Sequence, residues 1–300
     1  MRNIIECVPN ISEGRDPAAI EAIAAAVRST PGVRLLDVSS DTSHHRSVLT
    51  LVGDAPSLRA GVLALFDAAL SRIDLRTHRG EHPRMGAVDV VPFIPVRGAS
   101  TEDCVALARE VGAAIAERFQ VPVYLYEDAA TADHRRNLAD VRKGQFEGFA
   151  EKMKDPLWKP DFGPAVPHSA AGAVAVGARP FLIAYNINLA TRDLTIADRI
   201  AKSIRHVSGG FRYVKAMGVD LAERGLVQVS INMTNFRKTP LHRVFECVRS
   251  EAERYGVAVV GSEIVGLTPA DALFAAAEHY LRLERFSAGQ VLETKLLEES

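Results

Sequence analysis

Residues 33–52 read VRLLDVSSDTSHHRSVLTLV, and this stretch decides the fold of the first half of the chain. The apolar run from Val33 to Val38 and the alternating run from Arg46 to Val52 are typical of β-strands, and the polar turn between them predicts an antiparallel pair. A strand and a helix are predicted before this pair, and a helix and a strand after it. That is the β-α-β-β-α-β order of the ferredoxin-like, or split βαβ, unit. The four flanking segments are Asn3 to Val8, Ala18 to Val27, Pro56 to Ile73 and Val88 to Val96.

The second half of the chain repeats this order. Its predicted strands are Pro180 to Asn188, Tyr213 to Gly218, Leu226 to Met233 and Val257 to Val265, and its predicted helices are Leu194 to His206 and Pro240 to Tyr255, followed by a terminal helix. The first half adds a helix, Glu102 to Phe119, and a strand, Val121 to Tyr126. We therefore predict an α/β fold of the α+β type, with two ferredoxin-like βαββαβ subdomains packed side by side and a ligand cleft between them. The first is expected to span residues 1–178 and the second residues 179–300.

Composition restricts the classes of partner. The chain has 36 Lys and Arg against 37 Asp and Glu, a net charge of −1, so no overall basic field attracts nucleic acid or an anionic membrane. The three cysteines, Cys7, Cys104 and Cys247, form no C-x-x-C pair and are expected to be buried thiols in a reducing compartment. No apolar stretch resembles a signal peptide or a membrane span, and we expect a cytoplasmic protein without nucleic-acid or membrane partners.

The densest group of chemically active side chains lies in residues 76–90, RTHRGEHPRMGAVDV. The string that begins at His78 fits the zinc motif H-x-x-E-H, which needs a continuous helix to place both imidazoles on one face. Gly80 weakens such a helix and Pro83 disfavours helical geometry at the residue before it, so a turning loop is favoured. On a loop, His82 could be a lone proton shuttle, because an imidazole titrates near neutral pH, or a surface or capping histidine.

Two other segments leave alternatives open. The loop from Asp41 to Arg46 could be a simple hairpin turn or a proton-transfer patch that faces the His82 loop. Residues 144–179 have the composition of a linker, but they are too long for a mere connection. Their nearly uncharged part, 161–179, suits a backbone that lies against a flat ligand, a small-residue helix or a flexible tether. The chain contains no G-x-G-x-x-G loop after a strand, no P-loop and no G-x-S-x-G elbow, so those nucleotide-binding and hydrolase classes are excluded.

Several motifs together resemble one known family, the glutamate formimidoyltransferases or formiminotransferases. The motifs are ECVPNISEG (6–14), RGEHPRMGAVDVVPFIPVRG (79–98), VPVYLYE (121–127), PDFGP (160–164), GARPFLIAYNINL (177–189) and VVGSEIVGL (259–267). The resemblance implies a folate enzyme of histidine degradation. It would transfer the formimino group of N-formimidoyl-L-glutamate to N5 of tetrahydrofolate, giving 5-formimidoyltetrahydrofolate and L-glutamate.

The same resemblance implies partners and an oligomeric state. It implies tetrahydrofolate as co-substrate, no metal, and a homodimer of two-subdomain chains with folate between the subdomains. In vertebrates the transferase is fused to a cyclodeaminase, and 300 residues leave no room for that helical domain, so a separate cyclodeaminase is expected downstream.

The resemblance also assigns site residues. It makes His82 catalytic and assigns folate contacts to Gly163, Pro164, Ala165, Val166, Pro167, His168, Ser169, Ala170, Ala171 and Gly172. The chain departs from the family pattern at Ser39, His45 and Ala171.

Further residues are expected to support the reaction. Asp41 or Asp89 is expected to orient the catalytic imidazole. Because both substrates carry carboxylates, a cluster drawn from Arg46, Arg79, Arg84 and Arg179 is expected to bind them. Asn10 and Asn186, each at the end of the first strand of its half, could contact the pterin or could be turn formers.

Three other functions remain open at this point. The same site could transfer a formyl group between 5-formyltetrahydrofolate and glutamate. The chain could also be a folate-binding protein without turnover, or a zinc hydrolase built on H-x-x-E-H.

Overall fold

A computed structural model describes residues 3–80 and 83–298 of the chain. Glu81 and His82 therefore lie outside the described residues. The chain divides into two compact units, residues 1–180 and residues 181–300, each with its own apolar core. This confirms a mixed α/β fold with two units.

Each unit is built from alternating helices and strands. The first contains β1 (Ile4–Cys7), β2 (Asn10–Ile11), α1 (Pro17–Arg28), β3 (Arg34–Asp41), β4 (Arg46–Gly53), α2 (Ala55–Leu70), β5 (Val88–Arg97), α3 (Thr101–Phe119), β6 (Val123–Glu127), α4 (Leu138–Arg142), α5 (Gln145–Lys152) and β7 (Val174–Ala178). The second contains β8 (Ile183–Leu189), α6 (Leu194–Ile204), β9 (Val214–Leu221), β10 (Leu226–Met233), α7 (Leu241–Glu253), β11 (Val259–Val265), α8 (Ala270–Leu281) and α9 (Leu292–Glu298).

The strand order of both sheets is the ferredoxin-like one. In the second unit the order is β11-β8-β10-β9, with every pair antiparallel, so the last strand of the βαββαβ unit lies beside its first. In the first unit β5 lies beside β1, β1 beside β4 and β4 beside β3, which is the same order. The repeated pattern in the sequence therefore corresponds to a repeated topology.

Local sequence explains where the helices begin. Asp16, Asp54 and Asp193 each accept a hydrogen bond from a backbone N–H of the first turn of the helix that follows. At α3 the Ser100 hydroxyl accepts from the Asp103 N–H, and the Asp103 carboxylate accepts from the Ser100 N–H, which is a complete capping box.

Residues 144–179 have the composition of a linker, but the last part of this segment is a strand. Val174–Ala178 forms strand β7, which lies between β5 and the edge strand β6 and pairs in parallel with both. The segment VAVGA consists of small residues and is fully buried, so it has neither the alternation nor the bulk by which strands are recognised. Gly177 is required there, because a Cβ atom at this position would lie 2.5 Å from the Tyr126 carbonyl oxygen.

The first unit has helices on both faces of its sheet. The main core lies between the sheet and α1, α2 and α3. A smaller cluster on β5, β6 and β7 packs against α4 and α5, through Val141, Phe149 and Met153. The short helices α4 and α5 therefore cover the face of β5, β6 and β7 that points away from α1, α2 and α3.

Glu6 is a carboxylic acid in the interior of the first unit. It lies in β1, between β4 and β5, and is 5% exposed. Burial raises its pKa to about 7, although the positive charge of Arg179 acts in the opposite direction. The side chain is therefore protonated in the folded protein at mildly acid pH.

Glu6→Gln is expected to make stability less sensitive to alkaline pH. Because the folded pKa lies above the unfolded one, the stabilising contribution of the proton is complete below the unfolded pKa and is lost as pH rises through about 7. At about 1.4 kcal/mol per pKa unit, the wild type should lose about 2 kcal/mol relative to the variant between about pH 5.5 and 8.5. Urea unfolding at several pH values measures this difference. The exposed Glu117→Gln is the control, and parallel pH profiles for wild type and Glu6→Gln would refute the expectation.

Candidate active site

Three segments of the first unit meet where β5 begins. Ser12, which follows β2, donates two hydrogen bonds: its hydroxyl to the Gly86 carbonyl oxygen at 2.8 Å and its N–H to the Ala87 carbonyl oxygen at 2.8 Å. From the other side, the Ala87 N–H donates to the Ala171 carbonyl oxygen at 3.0 Å. The end of the predicted folate segment thus lies directly against the end of the 76–90 loop.

Two glycines make this close approach sterically feasible. A Cβ atom on Gly86 would lie 2.0 Å from the Ala173 carbonyl oxygen, and one on Gly172 would lie 2.1 Å from the Met85 carbonyl oxygen. Gly172 also has φ +68°, a left-handed conformation that favours glycine. No side chain fits between these two backbones.

The predicted folate segment, 163–172, is held at both ends. At its start, the Val123 N–H donates to the Phe162 carbonyl oxygen at 3.0 Å. Near its end, His168 and Gly172 exchange backbone hydrogen bonds of 2.9 and 2.8 Å, and the ring Nδ1 of His168 accepts from the Ala171 N–H at 3.0 Å. Between these anchors Ala165 and Val166 are exposed. The segment is therefore a surface loop with fixed ends.

Asp161 is the anchor that the sequence reasoning missed. Its carboxylate accepts from the Leu125 N–H at 2.8 Å and from the Thr131 hydroxyl at 2.5 Å, and it forms a buried ion pair of 2.8 Å with Arg135. The PDFGP motif contains this residue, but nothing in the local sequence indicates that its carboxylate organises the loops after β6.

His78 and His45 form a stacked pair beside the loop. Their ring centroids are 4.2 Å apart, with an interplanar angle of 25°. His78 Nε2 donates to the His45 carbonyl oxygen at 3.0 Å, and Nδ1 accepts from Arg84, so the ring is the neutral Nε2–H tautomer. Burial lowers the pKa of His78 and that of His45, which agrees with neutral rings. On the far side, the Gly14 N–H donates to His45 Nδ1 at 3.1 Å.

Arg84 makes five hydrogen bonds, as many as a guanidinium has N–H groups. Nε donates to His78 Nδ1 at 3.1 Å and Nη2 to the His78 carbonyl oxygen at 3.3 Å. Nη1 and Nη2 donate to the two carboxylate oxygens of Glu147 at 3.0 and 2.7 Å, and Nη1 also to Gln145 Oε1 at 3.4 Å. Arg84 is only 6% exposed. Its hydrogen-bonding capacity is therefore used by described residues of its own unit.

The other three predicted arginines have different surroundings. Arg46 is half-buried near Asp89 and Arg142, and desolvation of its guanidinium together with the charge of Arg142 lowers its pKa to about 10. Arg179 donates to the Pro180 carbonyl oxygen at 3.1 Å and faces Glu6. Arg79 is exposed, and among the described residues no carboxylate forms an ion pair with it. Of the four, Arg79 is the one that is exposed.

The two predicted carboxylates also differ in environment. Asp41 is exposed and bonded to His44, whose backbone N–H and ring Nδ1 lie 2.8 and 2.9 Å from the carboxylate oxygens. Burial acts to raise the pKa of Asp41, but these bonds outweigh it and the pKa is lowered. Asp89 is 2% exposed, accepts from the Met85 N–H at 2.8 Å and pairs with Arg142 at 2.5 Å. Asp89 thus fixes the backbone of the loop next to Arg84.

The two asparagines have different local structures, and the turn-forming role considered for Asn186 is wrong. Asn186 lies in the middle of β8, in the second unit, and donates to Glu263 Oε1 of the neighbouring β11 at 3.1 Å. Asn10 lies in β2, and its Nδ2 donates to the Val8 carbonyl oxygen at 2.8 Å, across the break between β1 and β2. Strand β8 continues past Asn186 to Leu189, whereas β1 ends at Cys7, one residue before its predicted end, and Asn10 belongs to the separate strand β2.

Two cavities adjoin the residues Arg79 and Gly80. One, of about 440 Å³, is also lined by Arg84, Gly144, Gln145 and Glu147. The other, of about 620 Å³, is also lined by Arg15, Thr42 and Ser43. The predicted loop residues therefore form a wall shared by two open depressions.

The helix required by the zinc motif is absent from the described part of that motif, because residues 78–80 are not helical. Both nitrogens of the first histidine, His78, are already engaged in hydrogen bonds. Within residues 3–80 and 83–298 no group of three or more His, Cys, Asp or Glu side chains could hold a metal ion.

None of the helices in the described part of the chain has the length and apolar character needed to cross a bilayer.

Known proteins match the chain over its whole length. The family model "Formiminotransferase domain, N-terminal subdomain" matches residues 4–179, and the model "Formiminotransferase domain" matches residues 184–297. A glutamate formimidoyltransferase of Streptococcus pyogenes serotype M1 is 50% identical over 298 residues, covering 99% of this chain and 100% of that protein. One from Thermoplasma acidophilum is 47% identical over 296 residues, covering 98% and 97%.

A longer relative matches over part of its length. The formimidoyltransferase-cyclodeaminase of Rattus norvegicus is 45% identical over 292 residues, which cover 95% of this chain and 54% of that protein. Taken together, the matches place the chain among the transferases. It belongs to the formiminotransferase family, as its motifs predicted.

Proposed function

We propose that this protein transfers the formimino group of N-formimidoyl-L-glutamate to N5 of tetrahydrofolate and releases L-glutamate. The observation that carries the proposal is the pairing of the 85–87 backbone with residues 171–173, which sets the predicted catalytic loop beside the predicted folate segment. The relatives of similar length are named for this activity. The names of the relatives support the activity, and the backbone pairing supports a site for both substrates at this contact in the first unit.

The chemistry requires two proton transfers. N5 of the folate attacks the amidine carbon, a tetrahedral intermediate forms, and the bond to the glutamate nitrogen then breaks. One proton leaves N5 and one must reach the departing nitrogen. We assign both transfers to the imidazole of His82, which can accept and donate a proton near neutral pH. The support is that the described neighbours of this residue, Gly80 and Arg84, line a cavity large enough for the reacting groups.

Substrate carboxylates need cations that are not already neutralised. Arg79 borders both cavities, and we assign it to a carboxylate of the glutamate substrate or of the folate tail. Arg15 lies across the second cavity, and within the described residues it too forms no ion pair with a carboxylate. The segment 163–172 is assigned to the folate, because its exposed part is uncharged and its ends are fixed.

The proposal includes the cellular setting. The reaction belongs to histidine degradation in the cytoplasm, the active form is a homodimer, and a cyclodeaminase activity consumes the 5-formimidoyl product. Tetrahydrofolate acts as co-substrate and leaves as 5-formimidoyltetrahydrofolate at each turnover.

A donor comparison tests the proposal. Purified protein is incubated with tetrahydrofolate and formiminoglutamate, and separately with 5-formyltetrahydrofolate and glutamate, while both folate products and free amino acid are measured. We expect turnover with the formimino donor to exceed formyl transfer at least tenfold. Predominant formyl transfer would replace the proposed donor, and folate binding without either product would replace the enzyme by a binding protein.

A further inference from the structure

Arg84 joins three parts of the first unit. Its side chain holds His78, six residues earlier, and Glu147 in the first turn of α5. Its own carbonyl oxygen accepts from the Phe146 N–H at 2.9 Å. The residue is therefore fixed to α5 through its backbone as well as its side chain.

The contacts of Arg84 with His78 and Glu147, here termed the brace, join parts of the chain to one another and leave no donor of Arg84 for a substrate. All five donors of Arg84 have acceptors within its own unit, and Glu147 takes two of them in the bidentate geometry that a substrate carboxylate would need. Hydrogen bonds from Arg84 lower the pKa of Glu147, with burial opposing, so this carboxylate stays ionised and neutralises the guanidinium. A substrate carboxylate could bind Arg84 only by displacing the carboxylate of Glu147.

The brace continues beyond His78. Because Nδ1 of His78 accepts from Arg84, the ring must be neutral, and its remaining proton is used by the His45 carbonyl oxygen. The groups that face His78 are His45 and Glu13 from one side and Arg84 and Arg79 from its own loop. The start of β4 and the loop before α1 are thus connected to α5 through one line of contacts.

We propose that Arg84 is a positioning residue: it fixes both ends of the segment 78–84 against α5, and substrate carboxylates are bound by other groups. The inference rests on the proposed function only for its kinetic readout. It assigns Glu147 and His78 to the same task, since each supplies an acceptor that the guanidinium requires. The cavity of about 440 Å³ has its shape because Arg84, Gln145 and Glu147 form one connected wall.

Arg84→Lys tests the kinetic consequence. A lysine keeps the charge but has one nitrogen, so it cannot serve His78 and both oxygens of Glu147 at once. We expect kcat to fall at least tenfold, with KM for each substrate changed less than about threefold. Arg79→Ala should show the opposite split, a raised KM for a carboxylate substrate with kcat largely kept. A tenfold rise in KM with unchanged kcat for Arg84→Lys would overturn the proposal.

Glu147→Gln provides a second, milder variant. The amide keeps one acceptor and loses the ionic contact, so kcat should fall less than in Arg84→Lys, and the double variant should lose less than the product of the two single losses. Tighter binding of formiminoglutamate by Glu147→Gln would show instead that Glu147 occupies a substrate site. The control is Arg118→Lys, an exposed residue of α3 paired with Asp67, which should leave kcat unchanged.

A spectroscopic readout separates the brace from the proposed reaction. Nitrogen NMR of the histidine rings should place the His78 proton on Nε2 at neutral pH in the wild type. Arg84→Lys should shift the His78 Nδ1 resonance, because that nitrogen loses the hydrogen bond from Arg84 Nε while the His45 carbonyl oxygen still accepts from Nε2. The His78→Gln variant assigns the signal. An unchanged His78 signal in Arg84→Lys would overturn the brace. The predicted change in a protein that shows no formimino transfer would instead refute only the proposed function.

Discussion

His82→Ala is expected to lower kcat for formimino transfer by about 10²- to 10⁴-fold, the range that a positioned acid-base group contributes. The reaction moves two protons, and the variant must leave both to water. Binding of the two substrates is expected to persist, because the predicted carboxylate and folate contacts come from other residues. Steady-state kinetics with each substrate varied in turn measures both effects.

The control for this variant is His206→Ala, which removes an exposed imidazole of the second unit. It should keep wild-type kinetics. If His82→Ala retained near-normal turnover, the proton transfers would have to be assigned to another group. Loss of both activity and folate binding would instead indicate a disturbed fold, which circular dichroism would detect.

Gly172→Ala is expected to destabilise the first unit by about 2 to 4 kcal/mol. The cost combines a left-handed backbone conformation, unfavourable for alanine, with a Cβ atom 2.1 Å from the Met85 carbonyl oxygen. Because a backbone atom is in the way, relief requires the 171–173 segment to move away from residues 85–87. KM for tetrahydrofolate should therefore rise as Tm falls.

The matched control is Gly148→Ala. This glycine lies within α5, and a Cβ atom there would meet nothing within 4 Å. Alanine should stabilise the helix by up to about 1 kcal/mol and leave the kinetics unchanged. Equal effects of the two substitutions on stability and on KM would contradict the role given to the Gly86–Gly172 contact.

The elements with clear periodicity could be predicted from sequence. The antiparallel pair β3–β4 is predictable because two strand-like apolar runs flank a polar turn, and α1 and α3 are predictable because their apolar residues recur at helical spacing. Strand β7 was not, because a short buried run of Val, Ala and Gly has no periodicity and follows a segment rich in proline and glycine. Its place in the sheet is set by β5 and β6, which are distant in sequence.

The sequence predicts which loops form the candidate site, but it does not predict which side chains pair within it. The motif around Met85 and the segment ending at Gly172 were both singled out, and the structure places them in contact. Glu147 and Arg142 were not, although they neutralise Arg84 and Asp89. Both lie on short helices within a stretch of unremarkable charge, so only the three-dimensional fold assigns their partners.

The position of β7 has a consequence for synthesis and truncation. This strand lies between β5 and β6 but is the last one of its unit to be made, and it begins two residues after the end of the predicted folate segment. Until it is inserted, β5 and β6 each expose an open hydrogen-bonding edge, which favours pairing with other chains. A chain shortened before Val174 should consequently aggregate, and ligands that hold the loop in place should protect the newly made unit.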